Sequence, residues 1–359
     1  MKPKFLFLFF ISLGSFICHA QTVVIRSHDT HIKYMGRIKM LDEAAELSWS
    51  ASSAKINFRG TGLKATLKDE HGINYIDVIL DGKVTSVLQP DSIRRDYTLA
   101  SGLPEGNHSI ELFKRTEWAM GKTWLYQFSL DKGASILPAP PVKKRKMEFF
   151  GNSITCGYAD IDSSGRDRGT APFEDAYFSY ATLTAKHFDT EFNLTARSGI
   201  GIMVSWDPLI MPEMYNRIDA TDSESKWDFS KYTPDLVVIN LFQNDKWITK
   251  IPQNGQFKAR FGDKAPTEEQ IIKAYKEFVK TVRDKYPKAK IICALGSMDA
   301  VSPDSPWPGY IQKAAEQIGD KNILTHFFPY KNTPGHPSVK EQQAMADDLI
   351  AFIEQNIKW

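Results

Sequence analysis

The sequence predicts two folded units: an all-β, jelly-roll-like sandwich over residues 22–138 and a three-layer α/β unit with a parallel sheet over residues 147–359. Three observations predict this. Up to about residue 136, short alternating strands and turns follow one another with no amphipathic helix between them. At residues 139–146 a proline-rich and basic stretch interrupts the pattern, as a stiff, extended linker would. Beyond it, apolar strands alternate with helices, the signature of parallel βα units.

In the first unit, Ile56 and Phe58 alternate with polar neighbours, and Leu63, Ala65 and Leu67 do the same after the Gly60-Gly62 turn. "NYIDVILDGKVTSVL" reads as strand, Asp81-Gly82 turn and strand. "HSIELFKR" and "TWLYQFSL" continue the pattern, and period-two alternation puts Trp124, Tyr126 and Phe128 on one face.

In the second unit "KMEFF" is a short apolar strand, "AYFSYATLTAKHF" a helix and "DTEFNLTA" a strand. "PDLVVINLF" is nearly all apolar, which suits a strand covered on both faces. The helix "TEEQIIKAYKEFVKTVRDKY" opens on a Thr267/Gln270 capping box and carries an apolar stripe of Ile271, Ile272, Tyr275, Phe278, Val279 and Val282. "AKIICALGS", "GYIQKAAEQIG" and "NILTHFF" give strand, helix and strand, and a final helix is capped by Ser338 and Glu341. Right-handed crossovers bring the loops after these strands to one edge, where ligands bind.

Composition narrows the function. Of 359 residues, 42% are hydrophobic and 25% charged, and the net charge is +2. That is a globular balance with no case for nucleic acid or an anionic membrane as partner. The "KKRK" run at Lys143–Lys146 solvates the linker. The first 20 residues have a basic start, an apolar core and a small-x-small site before Gln21, which reads as a secretory signal peptide. Export to the periplasm or the exterior follows; a lipoprotein signal at Cys18 is the competing reading. No later segment is long and apolar enough to span a bilayer. Cys156 and Cys293 would then remain, and a disulfide and two buried free thiols are both open.

Four stretches lie just after strands. In "FFGNSIT", Gly151 turns the chain and Ser153 follows; a helix N-cap and a nucleophile are both open for this serine. In "ARSGIGI", Gly199 and Gly201 let the backbone approach a ligand and donate an N–H. In "NLFQND", the Asn244 amide suits an oxyanion, although Asn-Asp is also common turn chemistry. In "TPGHPS", His336 sits between the last strand and the last helix, where a serine's general base would stand.

In that order, Ser153, Gly199, Asn244 and His336 resemble the SGNH (GDSL-like) hydrolases, named for those four residues. The family's usual Asp after the first Gly is Asn152 here, and its usual Gly before x-Asn-Asp is Phe242. Preceded by a β-sandwich, the pattern resembles carbohydrate esterase family 2, acetyl esterases of plant polysaccharides. Further matches are Gly36-Arg37, "FRGTGL", "ILDG" and "LFKRTEW". The resemblance implies a metal- and cofactor-independent esterase acting on acetylated polysaccharide or oligosaccharide, from xylan, mannan or glucomannan. Ser153 would be the nucleophile and His336 the base. The N–H groups of Ser153 and Gly199, with the Asn244 side chain, would form the oxyanion hole. A broader SGNH lipase or thioesterase and a non-catalytic glycan-binding protein are the alternatives; oligomeric state stays open.

One departure matters. These hydrolases place an Asp three residues before the His, and Thr333 stands there. "YKNTPGHPS" holds no acidic residue, so a Ser-His dyad oriented by a backbone carbonyl or a distant side chain is expected. "DIDSSGRDRGTA" starts like a calcium loop with Asp160, Asp162 and Gly165, but Ala171 replaces the bidentate Glu that calcium needs. No zinc-like spacing occurs. Trp206, Trp247 and Trp307 lie in loops and are candidates for stacking on sugar rings, against ordinary packing.

Overall fold

The computed structural model describes residues 22–359, so the segment expected to be a signal peptide, Cys18 included, lies outside the described residues. The N-terminal unit is two six-stranded antiparallel sheets. Its core interleaves Ile56, Phe58, Leu63, Ala65, Leu67, Val78, Ile110, Leu112 and Phe128, the inward residues that the alternation predicts. Asp81 and Gly82 both have positive φ, +49° and +81°. Those angles make the tight turn whose twist matches a hairpin.

One expectation fails. Trp124, Tyr126 and Phe128 do not share a face, because a bulge shifts the register between Leu125 and Gln127. An extra residue in one strand reverses the alternation beyond it. Leu125, Phe128 and Leu130 therefore point inward, while Trp124 and Tyr126 stay at the surface.

The C-terminal unit has five parallel strands: Arg145–Gly151, Thr190–Ala196, Leu236–Asn240, Lys290–Leu295 and Ile323–Phe327. They are called first to fifth below, and their order across the sheet is second, first, third, fourth, fifth. The first strand starts at Arg145, so half of the basic "KKRK" run is strand rather than linker. Alternate residues face opposite layers. Phe150, Val237, Ile239, Ile291 and Cys293 pack under helices Glu268–Lys285 and Trp307–Ile318. Met147, Phe149, Leu194, Val238 and Ile292 pack under helices Tyr180–His187 and Val339–Asn356. Both capping boxes form, with Thr267 N–H donating to Gln270 at 2.8 Å and Ser338 N–H to Glu341 at 2.8 Å. Cys156 and Cys293 are buried free thiols. No helix among the described residues is long and apolar enough to cross a membrane.

In this strand order the topological switch falls beside the first strand, and the crevice opens at the carboxyl ends of the first and third strands. Ser153 follows one of these strands and Asn244 the other.

The sandwich is fused to this sheet. Ala51, Ile79 and Phe113 from the sandwich pack into the same apolar cluster as Met147 and Phe149. Trp49 donates its indole N–H to Ile218 O at 2.8 Å. Arg37, 1% exposed, pairs with fully buried Glu148 in the first parallel strand at 2.9 Å. Its other terminal nitrogen, Nη1, donates to Tyr215 O and Arg217 O at 2.6 and 2.8 Å. Glu148 also accepts from Thr195, Asn193 and Tyr286 at 2.7, 3.1 and 3.1 Å.

Removing one partner of such a pair strands a buried charge. Arg37→Met alone should cost about 3–5 kcal/mol in urea unfolding, and adding Glu148→Met should recover much of it. Equal instability of the single and double variants would show that packing, not charge, dominates here.

Candidate active site

Gly151 ends the first strand because nothing larger fits. A Cβ there would lie 2.0 Å from Thr155 Oγ1. The chain then enters a one-turn helix, Ser153–Cys156, closed by Gly157 at φ +79°. Asn152, not Ser153, is the N-cap, and its side-chain oxygen accepts from Ile154 N–H at 3.1 Å. An Asn therefore does the capping that an Asp would do, which leaves the Ser153 hydroxyl uncommitted to the backbone.

That hydroxyl lies 2.8 Å from His336 Nε2. Chain and fold cooperate here, since the two residues belong to opposite ends of the α/β unit. On the other side of the ring, Nδ1 lies 3.0 Å from both Asp167 oxygens. The His336 backbone N–H donates to the same carboxylate at 2.8 Å. An ionised carboxylate only accepts, so Nδ1 must carry the proton and Nε2 is left to accept from Ser153. The Tyr158 ring packs on the imidazole, with centroids 4.3 Å apart.

The expected dyad is thus corrected: a carboxylate, Asp167, holds the second ring nitrogen. It comes from the Asp160–Ala171 stretch that reads as a defective calcium loop. In the fold this stretch is a self-bonded turn. Asp162 gathers Ser164 and Arg168, whose guanidinium lies 2.6 Å away and over the Phe173 ring. Asp160 is buried and accepts from Asp175 N–H at 2.9 Å. Among the described residues no group of three potential ligands could hold a metal ion. Asp167 has φ +57°, in the left-handed region. Burial pushes its carboxyl up, but the hydrogen bonds and charge of His336 outweigh this and hold it below the ordinary value of 3.8. It is ionised at neutral pH.

Three N–H donors face no competing acceptor among the described residues: Ser153 N, Gly199 N and one hydrogen of the Asn244 amide. The other amide hydrogen goes to Ile200 O at 2.8 Å, and Trp206 Nε1 donates to the amide oxygen at 3.0 Å. Those two bonds fix the amide's orientation. Gly199 adopts φ +78°. Asp245, next to Asn244, clamps the strand-end loop by accepting from the N–H groups of Ile202, Met203 and Val204 at 2.7–3.2 Å. Burial pushes its carboxyl up to about 6, against the pull of those backbone bonds. Gly201 has no room for a side chain, because a Cβ would lie 2.1 Å from Val204 O.

The three tryptophans part company. Trp206 is 45% exposed beside Gly199. Trp247 is half-buried and donates to Asp299 at 2.9 Å. Trp307, only 3% exposed, opens a helix and packs edge-on to Phe242. Its candidacy for sugar stacking is overturned, since the core covers it. Phe242 itself shows how the chain manages without the family's glycine. It keeps a glycine-like φ of +87°, and its buried ring packs on Tyr275 and Trp307.

Comparison with known proteins gives the class, a carboxylic ester hydrolase among the carbohydrate esterases, and the fold is also that of a GDSL-like neighbour (TM-score 0.56, 13% identity). The family model described as "Carbohydrate esterase 2 N-terminal" matches residues 34–140. The cellulase/esterase CelE of Acetivibrio thermocellus is 33% identical over 340 residues, covering 91% of this chain but 40% of that protein. An acetylxylan esterase / glucomannan deacetylase of Cellvibrio japonicus is 28% identical over 374 residues, covering 99% of this chain and 100% of that protein. A family two carbohydrate esterase from Clostridium thermocellum, solved with cellohexaose, superposes with TM-score 0.79 at 33% identity. It covers 90% of this chain and 98% of that one. The chain belongs to carbohydrate esterase family 2.

Sequence reasoning missed Asp167, Asp245 as a clamp, and the Trp206–Asn244 bond. The one available signal for Asp167 was its place in a loop after the first strand, at the same sheet edge as His336.

Phe242 tests how far burial offsets backbone strain. Phe242→Gly would relieve about 1–2 kcal/mol of left-handed strain but lose about 3–5 kcal/mol of buried ring. A net loss of roughly 1–4 kcal/mol is expected in chemical denaturation. A more stable variant would show that strain wins.

Proposed function

We propose that this chain is an exported serine esterase that removes O-acetyl groups from plant polysaccharides such as xylan or glucomannan. One observation carries the reading: Ser153 Oγ, the His336 ring and the Asp167 carboxylate stand in line at 2.8 and 3.0 Å. Family membership and the names of the Cellvibrio relatives support the ester and substrate class. The basic-then-apolar start of the chain supports export.

In this reading Ser153 Oγ attacks the acetyl carbonyl carbon, and its proton passes to His336 Nε2. The carbonyl electron pair moves to oxygen, where Ser153 N–H, Gly199 N–H and the Asn244 amide hold the negative charge. Asp167 stabilises the imidazolium and keeps the ring oriented. When the tetrahedral adduct collapses, its bond to the sugar oxygen breaks and His336 returns the proton to that oxygen. Water, deprotonated by the same imidazole, attacks the acetyl-serine. Acetate leaves and Ser153 recovers its proton. Each step needs only these side chains and water. Trp206 and Trp247 are offered as sugar contacts at the rim.

The cellohexaose in the Clostridium thermocellum relative favours a second reading, in which the crevice binds a glucan chain without turnover. Acetate release from acetylated xylan, glucomannan and mannan separates the two. Wild-type release that vanishes in Ser153→Ala supports the esterase; glycan binding with no release by wild type supports the second reading. Faster cleavage of 4-nitrophenyl octanoate than of the acetate would point instead to a lipase or thioesterase.

Asp167→Asn should lower kcat by about 10²–10⁴, because an amide at Nδ1 accommodates the wrong tautomer. Wild-type turnover in that variant would reinstate a Ser-His dyad.

A further inference from the structure

The Gly199 loop is held from two sides, and one of them is the sandwich. At its far end Asp245 grips Ile202, Met203 and Val204. At its near end Ser198 N–H donates to Glu117 Oε2 at 2.8 Å. Glu117 lies in the "LFKRTEW" turn of the sandwich and is 2% exposed. The next residue, Trp118, carries the Arg197 guanidinium 4.0 Å over its ring, and Arg197 is tied to Asp207 at 2.6 Å. The turn is itself built into the α/β unit. Arg115 donates to Glu174 O at 3.1 Å, Ala176 N–H donates to Arg115 O at 2.9 Å, and Glu117 N–H donates to the Glu174 carboxylate. Buried Lys114 donates to Thr116 O and Glu117 O at 2.7 and 3.2 Å.

Such a carboxylate is expensive to bury. Burial pushes Glu117 and Glu174 up together, and the groups that bond the Glu117 carboxylate, Ser198 N–H and Cys156 Sγ, both belong to the α/β unit. The same oxygen, Oε2, accepts a second and weaker bond from Cys156 Sγ at 3.6 Å. The strong one comes from the Arg197–Ser198 peptide, one unit ahead of the peptide that carries the Gly199 N–H. An N–H that stabilises an oxyanion is effective only if its direction is set before the charge forms. Gly199 alone, with no side chain and φ +78°, would leave that direction loose.

We propose that Glu117 is a positioning residue for the oxyanion hole: the sandwich supplies a buried carboxylate that fixes the Arg197–Ser198 peptide and, through it, the direction of the next N–H, that of Gly199. The sandwich is then a working part of the esterase site rather than only a glycan-facing appendage. This rests on the esterase reading above.

The test compares Glu117→Ala, Glu117→Asp and Glu117→Gln in the full chain with 4-nitrophenyl acetate. Glu117→Ala should lose about 10² in kcat with KM nearly unchanged, the mark of a lost transition-state donor. Phosphonylation of Ser153 by a 4-nitrophenyl phosphonate should slow in parallel. Glu117→Gln keeps an oxygen for Ser198 N–H and should recover most of the rate. Ile56→Ala, fully buried in the sandwich core away from the parallel sheet, controls for instability: its melting temperature should fall with no such kcat loss.

Wild-type kcat in Glu117→Ala, or a loss that Glu117→Gln does not recover, overturns the proposal. If Glu117→Ala does not fold, Glu117→Asp decides. It keeps the charge and shortens the reach, so unchanged kcat there refutes the role and reduced kcat at unchanged KM supports it. An active Ser153→Ala variant would sink the esterase reading itself, whatever Glu117 does.

Discussion

Glu148 is the constraint around which the molecule is organised. It sits fully buried in the first parallel strand, three residues before the glycine that turns into Ser153. A lone carboxylate in that position would cost several kcal/mol. It is tolerated because Thr195 and Asn193 come from the neighbouring strand, Tyr286 from beyond a helix, and Arg37 from the sandwich. Arg37 is in turn enclosed by the faces of Phe150, Trp227 and Phe229. The pair therefore cannot be satisfied until sandwich and sheet meet in one register. What fixes that register also fixes the end of the strand from which Ser153 projects.

Much of this was legible in the chain. Apolar period and caps located the long helices, because a stripe such as Ile271 to Val282 has only one way to be buried. The parallel strands were legible for the same reason: residues covered on both faces leave no polar alternation. The failure at Trp124, Tyr126 and Phe128 is instructive. Alternation reads faces only while the register is unbroken, and a bulge leaves no mark in composition. Similarly, the basic run at residues 143–146 looked like a solvated linker. In the fold, Lys146 N–H is held by Asp235 at 2.8 Å and Arg145 lies over Trp359.

In the site, legibility followed chain geometry. Ser153, Gly199 and Asn244 each stand directly after a strand, so a rule about strand ends finds them. Glu117 and Asp167 act through contacts between segments that no local spacing relates. The Asp162–Arg168 turn shows why Asp167 in particular was hidden. The acidic residues that attract attention there are engaged elsewhere: Asp162 by the turn's own Ser164 and Arg168, Asp160 by the N–H of Asp175. The one that reaches out is held in a left-handed conformation that no sequence pattern announces.

The missing acid near His336 and the presence of Gly335 are one fact seen twice. A Cβ on Gly335 would lie 3.0 Å from Asp167 Cγ, and Gly335 already has φ +71°. The "TPGH" segment thus has to be bare where the carboxylate arrives. A loop carrying its own Asp three residues before the His would bring a second negative charge close to Asp167. Two carboxylates sharing one imidazole would raise each other's affinity for protons. The acid can be supplied from the loop after the first strand or from the loop before the last helix, but not from both. Reading Thr333-Pro334-Gly335 as an absence therefore misses its content: it is the shape left for a partner from elsewhere in the chain.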